Sequence, residues 1–274
     1  MTVDRRLTPA TSRAAHVSLR GHVDAPVFTA GEPLSVTIAL VDLLRAPGGA
    51  RERQLWLGDG FTVIDRDGGY AYGFAHKDGL CGWLPETALG LTPEPTHWVS
   101  GLGTHVYPEP RVQARETMAV SMGARIAVTV QTGKWAETAY GYLPASHLRA
   151  IGAWETDLVA VAERFVGTPY LWGGNSRAGI DCSGLVQVSF LSCGRDCPGD
   201  SDLQEVLGQE ITPDEPLRRG DLLFWAGHVA LVADTERLIH ANGHSMSVKY
   251  ENIADCMARV ASQGGGAVTH RRRP

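Results

Sequence analysis

Two eight-residue segments most constrain how this chain can fold. GWLPETAL (Gly82 to Leu89) and GYLPASHL (Gly141 to Leu148) share one pattern of Gly, aromatic, Leu, Pro and a short turn, and lie about sixty residues apart. Each follows a strand, turn, strand run. The first block contains Val36 to Leu40, FTVID from Phe61, YAYGFA from Tyr70 and CGWLP from Cys81, separated by Asp67-Gly68-Gly69 and Lys77-Asp78-Gly79. The second contains THVYPEP from Thr104, ARIAVTVQTG from Ala124 and WAETA from Trp135. Short strands punctuated at roughly eight to twelve residues predict a small β-barrel or sandwich for each block. The expected organisation is an N-terminal arm over 1–35, ending at the Gly31-Glu32-Pro33 break, then β-domains over 36–92 and 93–152, then a third domain over 153–274.

The pattern changes after Gly152. Leu158, Val161, Ala162, Phe165 and Val166 recur at helical spacing within 156–167. Thr156 or Asp157 can cap that helix, and Gly167 before Thr168-Pro169 ends it. A second helix is expected from Cys182 to Cys193, stopped by Gly194. Strands follow at Asp221 to Ala226, His228 to Ala233, Arg237 to Asn242 and Ser247 to Ile253. Helices first and an antiparallel meander afterwards predict an α+β domain.

Net charge is -5 and the pI about 6.0, which argues against a nucleic-acid or anionic-membrane partner. The basic run His270-Arg271-Arg272-Arg273 reads as a solvated end. No apolar run follows Arg5 and Arg6, and none is long enough to span a membrane. The five cysteines are Cys81, Cys182, Cys193, Cys197 and Cys256, an odd set without framework spacing. These features together predict a reduced, cytoplasmic protein.

The chemistry centres on LWGGNSRAGIDCSGLVQ, Leu171 to Gln187. It lacks the Lys-Ser/Thr of a phosphate loop and the spacing of a dinucleotide fingerprint. Its glycines read as close backbone approach beside Cys182. Cys182 falls in the first turn of the second helix, where backbone N–H groups and the helix dipole favour a thiolate, with Asp181 as N-cap. It is either a nucleophile or a buried, inert thiol.

A nucleophile needs a base and an orienting group. If Ala233-Asp234-Thr235 forms the hairpin loop, His228 pairs with His240 on one sheet face, close enough to share a hydrogen bond. The opposing reading is two strand histidines satisfied by backbone. A Cys182, His228, His240 zinc set lacks the usual paired spacing, so neither metal nor cofactor is expected. Cys193 and Cys197 read as ordinary thiols, and His244 as exposed.

The two GWLP and GYLP segments resemble those closing bacterial SH3 domains. GTPYLWGGNSRAGIDCSGLVQ, followed by RRGDLLFWAGHVALV and LIHANG, resembles the NlpC-type family of papain-like cysteine peptidases over 154 to about 260. That resemblance implies Cys182 as nucleophile, His228 as base, His240 as orienting residue and Tyr170 beside the oxyanion. It also implies that Asp181 and Ser183 hold the free amine of the substrate's first alanine. The whole chain is similar to members that cut murein stem peptides between γ-D-glutamate and a diamino acid. In them the first SH3-like domain closes one end of the groove, so only trimmed peptides fit, which implies murein peptide recycling. The implied partner is a murein-derived peptide, with no nucleic acid, no membrane and no set oligomeric state. An amidase or acyltransferase on the same scaffold, or an inert wall-peptide-binding protein, remains an alternative.

Overall fold

The computed structural model describes residues 4–274 and divides into two compact units at Ile151/Gly152. The first unit contains a seven-stranded antiparallel sheet in the order Arg51–Trp56, Leu40–Leu44, Cys81–Pro85, Tyr70–Ala75, Gly60–Asp67, Glu32–Val36, Leu89–Gly90. Phe61, Val63, Leu55, Leu43, Leu84 and Ala75 are among its buried apolar side chains. The sheet begins at Glu32, four residues ahead of the expected domain start. Gly31 has φ +76°, and a Cβ there would sit 2.5 Å from Thr62 Cγ2 and 2.8 Å from Val63 O. The Gly-Glu-Pro break is therefore a tight entry into a strand.

Within the preceding segment, Ala14–His16 pairs in parallel with Val27–Thr29. Arg13 reaches Asp65 at 3.0 Å, and the Tyr72 hydroxyl donates to Thr8 O at 3.3 Å. Tyr72 and Trp83 pack together in a cluster with Ile64 and Cys81, their ring centroids 5.1 Å apart.

Residues 93–151 form three smaller antiparallel sheets. The repeated segments adopt one conformation: Cys81–Pro85 and Gly141–Pro144 are strands, each followed by a 3-10 turn, Glu86–Ala88 or Ala145–His147, and a short strand. Pro85 and Pro144 sit at the turn entries with φ -56° and -60°, values the pyrrolidine ring imposes.

The second unit is α+β. Its antiparallel sheet has the order Gln209–Glu210, His270–Arg273, Leu222–Trp225, His228–Val232, Arg237–Asn242, Ser247–Asn252. Its helices are α1 (Leu158–Glu163), α2 (Cys182–Ser192), α3 (Ser201–Gln204) and α4 (Ile253–Ser262). Leu223, Trp225, Ala230, Val232 and Leu238 form a buried cluster with Cys256, Met257 and Val260 of α4. Val229, Leu231, Ile239 and Ala241, of the opposite parity, are also buried. Helix α2 packs against the two central strands and α1. Nearly every α2 residue is buried, as a helix apolar around its whole circumference must be.

Several elements depart from the expectation, the short helix α3 among them. Helix α4 was not anticipated, and the basic tail is no solvated end: His270–Arg273 is an interior strand of the sheet. Arg273 pairs with buried Asp221 at 2.8 Å, and Arg271 donates to Pro213 O at 3.0 Å. Among the described residues no helix is long and apolar enough to cross a membrane.

Candidate active site

The glycine loop is a tight hairpin. Asn175 pairs with Ile180 and Ser176 with Gly179. A Cβ on Gly174 would lie 2.6 Å from Gly179 O, so the close backbone approach read from the sequence is made by the chain to itself. The buried Asn175 Nδ2 donates to Gln187 Oε1 at 2.9 Å, and Gln187 Nε2 donates to Cys197 O at 3.2 Å, tying the loop to α2. Gln204 Nε2 donates to Ser183 O at 3.0 Å and fixes the backbone beside the cysteine. These amides escaped the sequence reading, because polar side chains that brace a loop carry no periodic signal.

Asp181 ends the hairpin and caps α2. Its Oδ1 accepts from Gly184 N–H at 2.7 Å and Ser183 Oγ–H at 3.2 Å; its Oδ2 accepts from Gly173 N–H at 2.9 Å. Cys182 is thereby held as the first residue of α2, buried, at the end where helix N–H groups point outward. Tyr170 is half-buried; it bridges Ile180 and donates its N–H to Met246 O at 2.9 Å, placing it beside the segment entering α2.

His228 opens its strand after the Ala226-Gly227 turn, opposite Trp225. His228 Nε2 lies 2.8 Å from His240 Nδ1, the rings 5.0 Å apart at 62°. The hairpin register differs from expectation by two residues: Val232 pairs with Leu238, not Glu236. Asp234 is the cause. Its Oδ1 accepts from the N–H groups of Glu236 and Arg237 at 3.0 and 2.8 Å, moving the turn one residue along. An even shift keeps every side chain on its face, so the two rings still meet, diagonally instead of directly opposed.

His240 is wholly buried. Its Nε2 lies 3.0 Å from Glu251 Oε2 and 2.9 Å from Asn242 Nδ2. Glu251 is gripped through both oxygens by Arg259, Nε to Oε1 and Nη2 to Oε2, each 2.8 Å. That guanidinium holds the Glu251 carboxyl down to about 2. Burial pushes His228 down to about 4 and His240 to about 3, so both rings are neutral at neutral pH. Glu251 was missed in the sequence, although Lys249 lies opposite His240 and puts Glu251 one diagonal away on the same face.

His240, Glu251 and Cys256 offer donor atoms within 4.8 Å of one another. Arg259 already occupies that space, with Nη2 2.8 Å from Glu251 and 3.6 Å from Cys256 Sγ, so a second cation there would meet a fixed positive charge. Burial raises three other thiols, Cys81 to about 12 and Cys193 and Cys256 to about 11. His244 is exposed.

Comparison with known proteins accounts for both units. The NlpC/P60 family matches residues 167–261, and the bacterial dipeptidyl-peptidase SH3 domain matches 43–89. A Bacillus cereus protein named gamma-D-glutamyl-L-lysine dipeptidyl-peptidase is 28% identical over 232 residues, covering 72% of this chain and 69% of its own length. Dipeptidyl-peptidase 6 of Lysinibacillus sphaericus is 39% identical over 99 residues, 36% of each chain. The crystal structure of an NlpC/P60 family protein from Bacillus cereus superposes with TM-score 0.76, covering 88% of this chain and 99% of that one. At 21% identity that likeness is one of fold.

Proposed function

Starting from a chain whose residues 167–261 are an NlpC/P60 cysteine-peptidase domain, preceded by a bacterial SH3 domain, we propose that it hydrolyses the γ-D-glutamyl–diamino acid bond of murein stem peptides bearing a free N-terminal L-alanine. The observation that carries this reading is the hydrogen-bonded His228–His240 pair on the strands against which the Cys182 helix packs. The name of the Bacillus cereus relative supports the choice of bond. The organisation proposed is an N-terminal arm, two SH3-like barrels and the peptidase domain. The second barrel is supported by the shared strand, 3-10 turn, strand segment.

In this mechanism His240 occupies His228 Nε2, leaving Nδ1 to take the Cys182 thiol proton. The sulfur attacks the γ-glutamyl carbonyl carbon. The Cys182 N–H and Tyr170 stabilise the oxyanion. His228 returns the proton to the leaving amine as the C–N bond breaks, and water, deprotonated by His228, hydrolyses the thioester. Asp181 and Ser183 receive the substrate ammonium. Trimmed stem peptides, which present that amine, are the substrates of a recycling enzyme. The test is turnover of L-Ala-γ-D-Glu-diamino acid against its N-acetylated form. Cleavage of the free peptide alone supports the reading, and equal cleavage of both contradicts it.

A further inference from the structure

The catalytic line does not stop at His240, and its far end presents a conflict. Two side chains address the same nitrogen, His240 Nε2, and demand opposite protonation. Glu251 Oε2, at 3.0 Å, is a carboxylate oxygen and needs Nε2 to carry a proton. Asn242 Nδ2, at 2.9 Å, is a donor and needs Nε2 to present a lone pair. The orientation of the Asn242 amide is set independently, because its Oδ1 accepts from the Ser245 N–H at 2.8 Å and the Ser245 hydroxyl at 3.0 Å.

The outcome matters at the thiol. With the proton on Nε2, His240 Nδ1 is a lone pair that accepts from His228 Nε2–H. His228 Nδ1 is then a lone pair too, free to take the thiol proton. With the proton on His240 Nδ1 the order reverses. That nitrogen donates to His228 Nε2, and neutral His228 carries its own proton on Nδ1, presenting a donor where a base is needed. One proton position on a fully buried ring therefore separates a working base from an idle one.

Resting on the peptidase reading above, we infer that Glu251, clamped by Arg259, is a positioning residue that fixes His240 in the productive tautomer against the opposing amide of Asn242. Charge decides the contest, since a hydrogen bond to an ionised carboxylate is about twice as strong as a neutral one. Arg259 contributes by keeping Glu251 ionised and holding both oxygens in place. Neither Glu251 nor Arg259 needs to touch the substrate.

Nitrogen-15 NMR of the imidazoles in the full chain at neutral pH reads the tautomer without any substrate. The expected result is a protonated Nε2 on His240 in the wild type. In Glu251→Gln the glutamine turns its oxygen to Arg259 and its N–H toward His240, so the proton moves to Nδ1. The kcat of that variant falls about 10-fold or more, as it does when the outer partner of a metal-bound histidine is removed, with KM within about twofold. Adding Asn242→Asp restores most of the loss, because the new carboxylate keeps one oxygen for Ser245 and offers the other to His240. A merely structural Glu251 would give no such rescue. An unprotonated Nε2 in the wild type overturns the inference, as does undiminished kcat in Glu251→Gln. So does failure of Asn242→Asp to restore turnover when both variants keep the wild-type unfolding midpoint. If Glu251→Gln does not fold, the wild-type tautomer alone decides. Turnover by Cys182→Ser would sink the peptidase reading while leaving the tautomer result standing.

Discussion

At the residue scale, the burial that makes most thiols here inert leaves Cys182 distinguished by its place at a helix start. Cys81, Cys193 and Cys256 have thiols pushed to about 11 or 12. A single equivalent of iodoacetamide at neutral pH is therefore expected to label Cys182 and leave these three, as peptide mapping will report. Cys182→Ser and His228→Ala should each lower kcat by about 10³-fold or more, the cost of removing a member of a catalytic set. The histidines also link stability to pH. Their folded values, about 4 and about 3, lie below the unfolded value near 6.5. The unfolded chain binds more protons below pH 6.5, so stability is fully present above that pH and falls as pH drops toward 4. Glu251 acts on a lower window: held at about 2, its contribution is present above its unfolded value near 4.5 and lost as pH falls through 2. Urea unfolding midpoints at pH 7.5, 6, 5 and 4 should fall in that order, and a flat series would contradict the buried-neutral assignment.

At the scale of elements, legibility followed the strength of the local signal. Helix α2 was readable because Asp181 caps it and Gly194 follows it, and the repeat was readable because its prolines fix one conformation twice. The basic strand His270–Arg273 was not. It has no apolar alternation, and what draws it into the sheet is pairing on both edges and the distant Asp221. The histidine pair survived a wrong register because the error was even; Asp234, whose side chain moved the turn, offers no cue in spacing alone. Asp234→Ala removes two backbone hydrogen bonds at that turn and should lower the urea unfolding midpoint, while an unchanged midpoint would show that the turn does not depend on them. Glu251 was legible only to a reading that carried the register on to a third strand.

At the scale of the whole molecule, the chain consists of two compact units joined at an exposed connection, with Ile151 41% exposed and Gly152 at φ +98°. Limited digestion with a low-specificity protease should cut first within residues 151–153 and release two folded fragments; a first cut inside either large sheet would contradict the division. The Bacillus cereus relative matches across both units, 72% of this chain, whereas the Lysinibacillus sphaericus relative shares 36% of each chain. On the proposed reading, Cys182 and the His228–His240 pair cleave a γ-D-glutamyl bond. Mass spectrometry of wild-type and Cys182→Ser protein incubated with L-Ala-γ-D-Glu-diamino acid tests it most directly. The wild type should release L-Ala-γ-D-Glu and free diamino acid, and the variant neither. Release of alanine in place of the dipeptide, or the same products from Cys182→Ser, would contradict it.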